Sequence, residues 1–292
     1  MSAPEIGLFA FAGVLGLLVG SFLNVVIYRV PRMCLSIWRQ TRSRCPHCGV
    51  QIRWFDNIPV LSWLGLRGRC FKCRARISLR YPLVELLTAG LFVLFAWADA
   101  ERFGGARLAL ADETFWALWG VHALLGSALL ALAVIDIDFR ILPDVITLPG
   151  ILMAPILVLA VPAVMPDLVW RPFEAGGMGI RLNALVNSLA GVIGGGGLLW
   201  GLGWLASKAF RKPAMGLGDV KLFAAMGGFL GAWLILALVL ASFIGSVIGI
   251  GILVIKKDRY VPFGPFLAAG MVLCLLWGPD ILQAIEMRLA PA

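Results

Sequence analysis

The chain is 292 residues long, 61% hydrophobic and only 14% charged, with a mean hydropathy of +0.93 and a net charge of +9. Soluble domains are roughly half apolar and about a quarter charged, so this composition excludes an ordinary soluble domain. It points to an all-α polytopic membrane protein.

Membrane spans need about 20 mostly apolar residues. Eight such stretches are legible, at roughly 6–27, 82–98, 116–135, 145–163, 184–206, 219–235, 237–255 and 264–283. The division expected is a first transmembrane helix (1–27), a loop (28–81) and a transmembrane core (82–292). The first span has only Glu5 before it and basic residues after it, from Arg29 and Arg32 onward. That order predicts an uncleaved helix with its N-terminus outside the cytoplasm.

The loop that follows is basic from Arg29 to Arg80, with Asp56 its only acid. Nucleic acid would be one partner for such a loop. Juxtamembrane arginines more simply fix topology and meet anionic membrane lipid, which places the loop in the cytoplasm and leaves nucleic acid without a role. Counting spans from this anchor puts Lys208, Arg211, Lys212, Lys256 and Lys257 on the same face.

Within the loop, Cys45-Pro-His-Cys48 and Cys70-Phe-Lys-Cys73 form two CxxC pairs with 21 residues between them. Each pair can aim two thiolates at one ion, and two pairs complete a tetrahedron, so the spacing predicts a structural zinc site. A disulfide reading fails on compartment, and a redox reading would need only one pair. His47, inside the first pair, is a bystander when four thiolates are available; Cys34 and Cys274 have no partners at ligand spacing. The intervening stretch from Arg53 to Gly68 is too apolar for a solvated loop and is expected on the knuckles or at the membrane interface.

Further along, acids gather at two span ends: Asp136, Asp138 and Asp144 in AVIDIDFRILPDVITLP, and Asp219 in MGLGDVKL. Ionisable groups at membrane spans are functional candidates by default. Two carboxyl groups at one depth support acid–base hydrolysis of a peptide bond without metal or histidine. Asp136 and Asp138 lie two apart and cannot share a helix face; the residues alone leave open which one meets Asp219. Gly216 and Gly218 would let backbone approach closely. Lys221 would reach lipid headgroups or tune the acids. The plainer reading makes Asp219 a dipole-favoured helix start and Asp144, after Pro143, a helix cap. The run Gly194–Gly197 reads as helix packing.

These stretches together resemble the bacterial prepilin leader peptidase/N-methyltransferase family, the GxGD membrane aspartic peptidases of type IV pili and type II secretion. The resemblance rests on GSFLNVVIYRVP (Gly20–Pro31), SRCPHCG (Ser43–Gly49), DNIPVLSWLGLRGRCFKC (Asp56–Cys73), ISLRYPLVELLT (Ile77–Thr88), DIDFRILPDVITLP (Asp136–Pro149), MGLGDVKL and PFGPFLA (Pro262–Ala268), in family order along most of the chain. It implies cleavage of the basic leader of prepilins and pseudopilins at the cytoplasmic face of the bacterial inner membrane. N-methylation of the new N-terminus from S-adenosylmethionine would follow. The catalytic pair implied is Asp136 and Asp219, with Asp138, Asp144, Gly216, Gly218 and Lys221 in support, and Cys45, Cys48, Cys70 and Cys73 binding zinc. The methyl donor cannot be placed, because the chain has no Rossmann-type glycine loop after a strand; Asn24, Arg80 and Glu85 are polar candidates near that face. Two departures from the family are the long segment Val161–Arg181 and Lys212-Pro213-Ala214 before Met215. The competing functions are a transporter or channel using the carboxylates, a peptidase without methyltransferase activity, and a zinc-bearing adaptor.

Overall fold

The computed structural model describes residues 2–32, 44–165, 170–174, 176–212, 215–256 and 262–289. Cys34 and the Pro213-Ala214 departure lie outside the described residues. In chain order the helices are α1 (Ala3–Arg29), α2 (Leu61–Gly65), α3 (Arg80–Arg102), α4 (Ala106–Ala109), α5 (Glu113–Phe139), α6 (Asp144–Ala160), α7 (Gly177–Phe210), α8 (Leu217–Leu230), α9 (Leu234–Lys256) and α10 (Gly264–Leu289). The described residues form no strand, only the isolated bridges Arg44–Gln51 and Arg69–Arg76.

Among the described residues, six stretches are long and apolar enough to cross a membrane. The expected eight are therefore not confirmed as a count, for two physical reasons. Helix α6 has 17 residues, about 26 Å at 1.5 Å per residue, short of a hydrocarbon core of about 30 Å. Helices α8 and α9 run on through a 3-10 turn at Gly231–Trp233, so Leu217–Gly251 is one continuous apolar stretch. Gly231, at φ +56°, is the residue that makes the turn.

The chain divides into two compact units, 1–131 and 132–292, with the boundary inside α5. In the first unit α1 crosses α3 at the glycines of G-L-L-V-G. A Cβ on Gly16 would fall 2.6 Å from Ala89 Cα, and one on Gly20 would fall 2.7 Å from Glu85 Cα. Small residues four apart allow such backbone approach between apolar helices, where dispersion replaces the hydrophobic effect as the driving force. Phe11, Phe92, Trp116 and Trp119 stack edge to face nearby, and Trp119 Nε1 donates to the Phe92 carbonyl at 3.1 Å. Beside them, fully buried His122 meets Asp99 through Nδ1 at 2.9 Å and stacks on Phe95.

The second unit is built on backbone contact. Helices α7 and α8 touch at Gly191 and Gly227, where any Cβ would strike the other glycine's carbonyl. Gly228 faces Ala154 of α6, and Gly270 of α10 faces the Ala237 carbonyl of α9. The glycine run behaves in part as expected: Gly195 and Gly196 face Phe223 and Ala224 of α8, while Gly194 and Gly197 face open space. At its other end α7 holds the preceding segment with two asparagines. Asn183 donates to and accepts from the backbone of Phe173, and Asn187 does the same at Trp170. The two side-chain amides satisfy backbone groups that irregular chain would otherwise leave unpaired.

Candidate functional site

Two sites emerge, one in each unit. In the first, the CxxC pairs fold as matched knuckles. Cys45 N donates to Val50 O and Gly49 N to Cys45 O, both at 2.9 Å; Cys70 N donates to Ala75 O at 2.9 Å and Arg74 N to Cys70 O at 3.0 Å. Each knuckle closes on a left-handed residue, Gly49 at φ +67° and Arg74 at φ +60°. The four Sγ atoms of Cys45, Cys48, Cys70 and Cys73 lie within 4.8 Å of one another, with Cys45 and Cys73 3.8 Å apart. A tetrahedron with metal–sulfur bonds of about 2.3 Å has edges of about 3.8 Å, so the donor set fits a metal, and these cysteines are positioned to bind one.

Electrostatics favour the same reading. The backbone N–H groups of Cys73 and Lys72 point at the Cys70 sulfur and hold its thiol down to about 7. At Cys73 the Ala75 N–H also lowers the thiol, but lost hydration and the Cys48, Cys70 and Cys45 sulfurs outweigh it and push it up to about 11. Four sulfurs this close cannot all ionise unless a cation joins them.

Between the knuckles, part of the apolar stretch packs on the cysteine loop. Trp63 lies against Gly68, where a Cβ would come within 2.8 Å of the indole, and donates from Nε1 to Ile77 O. The Arg53 guanidinium, paired with Asp56 at 2.6 Å, lies over Phe71 of the second knuckle. Trp54, Leu61 and Leu64 remain exposed.

The second site gathers the acids. Helix α5 ends at Phe139 because Arg140 turns left-handed, at φ +57°, and Pro143 then starts α6. Asp136, in the last turn of α5, is buried, while Asp138 faces outward, as their spacing requires. Helix α8 begins at Leu217 with Gly216 as its N-cap, which places Asp219 in its first turn. Asp136 and Asp219 thereby line one cavity of about 500 Å³ with Arg140, Asp144, Gly216 and Phe263.

Four of the supporting residues have contacts of their own. Asp144 is the first residue of α6 rather than its cap, which is Pro143; its carboxylate takes Lys221 Nζ at 2.7 and 2.8 Å. Lys221 thus serves Asp144. Gly218 gives clearance to Leu142, whose Cβ would sit 2.9 Å from an added methyl, whereas Gly216 would meet nothing closer than Asp219 Oδ2 at 3.5 Å.

One residue was missed by sequence reasoning. Gly264 N donates to Asp136 Oδ2 at 3.0 Å. It opens α10, where the first N–H groups have no partner within the helix and favour an anion, and Pro265 next to it has no N–H to offer. A Cβ on Gly264 would lie 2.7 Å from Asp136 Oδ2. The signal was present in PFGPFLA: a glycine–proline pair opening an apolar helix.

The profile of the type IV leader peptidase family matches residues 123–250, and that of the bacterial Peptidase A24 N-terminal domain matches 14–98. Curated relatives named prepilin leader peptidase/N-methyltransferase come from Stutzerimonas stutzeri (38% identical over 92% of this chain and 90% of theirs) and Pseudomonas putida (37% over 95% and 93%). An Escherichia coli protein named type 4 prepilin-like proteins leader peptide-processing enzyme is 38% identical over 87% of this chain and 88% of its own. This chain belongs to the type IV leader peptidase family. No solved structure matches it. The leader peptidase profile covers both Asp136 and Asp219 and ends before Gly264, while the N-terminal profile covers both cysteine knuckles.

Proposed function

We propose that this leader peptidase removes the basic leader of type IV prepilins and pseudopilins and then N-methylates the new N-terminus, as the paired names of its relatives imply. The observation that carries the peptidase half is the delivery of Asp136 and Asp219, from helices far apart in sequence, to one cavity. Two carboxyl groups on one cavity share a proton. The ionised one takes a proton from water as that water attacks the peptide carbonyl; the protonated one gives its proton to the leaving amine. Gly264 orients the Asp136 carboxyl for this exchange, and the Asp144–Lys221 pair ties the start of α6 to α8 beside it.

The metal is zinc, on the grounds of an all-thiolate tetrahedral donor set, and it is structural, since four protein ligands leave no open position. The site faces the cytoplasm of the bacterial inner membrane and the N-terminus lies outside, a topology supported by the basic loop around the knuckles. Lipid headgroups, rather than nucleic acid, meet those arginines. S-adenosylmethionine supplies the methyl group.

Asp136→Asn and Asp219→Asn each abolish leader cleavage by purified enzyme while the protein still inserts. Normal cleavage by either variant removes that residue from the catalytic pair. Parallel assays with and without S-adenosylmethionine, read by mass at the new N-terminus, test methylation separately.

A further inference from the structure

Both acids of the cleavage site lie in the second unit, and methyl transfer needs a place of its own. The first unit contains a cavity of about 600 Å³, between the ends of α1 and α3 and the cysteine knuckles. We propose that this cavity is the binding site for the methyl donor, a sulfonium nucleoside with an amino-acid tail; the inference rests on the methyltransferase half of the proposed function.

The first supporting feature is size, since ligand pockets run from about 300 to 1,000 Å³. The second is an orphaned acceptor. Asn24, 4% exposed on the cavity wall, donates through Nδ2 to Tyr81 O at 3.0 Å, yet its buried Oδ1 has no partner among the described residues. A buried acceptor without a partner calls for an absent donor. The exocyclic amine of adenine is such a donor.

The third feature is charge. Glu85, 7% exposed, lines the same cavity. Tyr81 and Trp63 line it too, as does Tyr28, whose ring lies under the Arg32 guanidinium at 4.0 Å, and Arg29 and Arg32 lie at the α1 end. A carboxylate among aromatic faces suits a sulfonium cation, and guanidinium groups suit the donor's carboxylate.

The fourth is strain. Val60 holds φ +59° and ψ −49°, an outlier for a β-branched residue, in a tight turn where Leu61 N reaches Pro59 O at 2.5 Å. Glu85 Oε2 accepts the Val60 N–H at 2.7 Å. Such strain persists only where surroundings enforce it, and it gathers at ligand sites. One carboxylate therefore fixes the turn and presents charge to the cavity. The α1–α3 glycine crossing sets its position, because Gly20 packs on the Glu85 backbone.

The test uses the full-length enzyme in micelles. First, radiolabelled S-adenosylmethionine is photo-crosslinked and the labelled peptides are mapped. Label within 21–85 is expected; label confined to 132–292 overturns the site while leaving methylation intact. Second, equilibrium dialysis compares S-adenosylmethionine with its neutral product S-adenosylhomocysteine. Glu85→Gln should weaken the sulfonium ligand roughly tenfold and the neutral one far less, because only the first loses a charge partner. Equal loss for both overturns the role of Glu85. Tyr81→Leu, which leaves the Val60 turn and the Asn24 bond to the backbone carbonyl untouched, should weaken the sulfonium by about threefold or more and covers the case in which Glu85→Gln does not fold. A wild-type enzyme that cleaves prepilin but binds neither ligand overturns the site and methylation together.

Discussion

At the residue scale, the roles that emerge rest on single atoms. Gly264 is the sharpest case, because its donor N–H and its missing Cβ both serve Asp136. Gly264→Ala should lower kcat for leader cleavage by about 10–100-fold with KM and melting temperature little changed, since a displaced catalytic group costs orientation rather than binding; steady-state kinetics with a prepilin peptide decides it. Asp99 and His122 show a different logic. Their pairing is wholly buried, so Asp99→Asn or His122→Ala leaves a polar group without its partner, and thermal unfolding should show a loss of about 1–3 kcal/mol with cleavage retained. Sequence reading reached the two acidic clusters because acids near spans are rare, left the choice of Asp136 over Asp138 to the family resemblance, and reached the cysteines because their spacing is informative. It did not reach Gly264, whose function belongs to a backbone N–H and has no side-chain signature. Nor did it foresee that Lys221 would pair with Asp144, residues 77 apart in sequence.

At the element scale, the knuckles and the glycine crossings are the features that hold. Two short turns closing on one donor set have little core of their own, so metal and fold are linked. Removing the metal with a strong chelator should open residues 44–76 to proteolysis, which mass spectrometry of the fragments would show. The pH dependence has a definite sign. Protons compete with metal for thiolate, so affinity falls as pH drops below the range in which the thiols can ionise. Cys70, already held down to about 7, is the last of the pair with Cys73 to be lost as a thiolate; release followed from pH 8 to 5 should rise steadily. The α7–α8 crossing was legible only in part. Glycine runs announce packing, but Gly194 through Gly197 do not reveal which two of them face α8. The Gly191–Gly227 contact joins positions no local pattern connects. The count of eight spans is not confirmed for a related reason: hydropathy cannot tell a break at Gly231 from an unbroken apolar stretch.

At the scale of the whole molecule, the two family profiles fall in the two compact units apart from residues 123–131, and the two candidate sites divide in the same way. The charge pattern gives the proposed topology a direct test: an N-terminal epitope tag should be removed by protease added outside spheroplasts, whereas a tag within the basic loop should survive until the membrane is opened. Gly264 also carries a consequence for biosynthesis. Both acids are translated before α10, and the donor that orients Asp136 opens that helix. On the proposed roles, a nascent chain owns both acids before it can orient Asp136. A ribosome stalled short of Gly264 would leave a product with both carboxyls in place and one of them adrift, so under the proposed mechanism competence to cut arrives with α10.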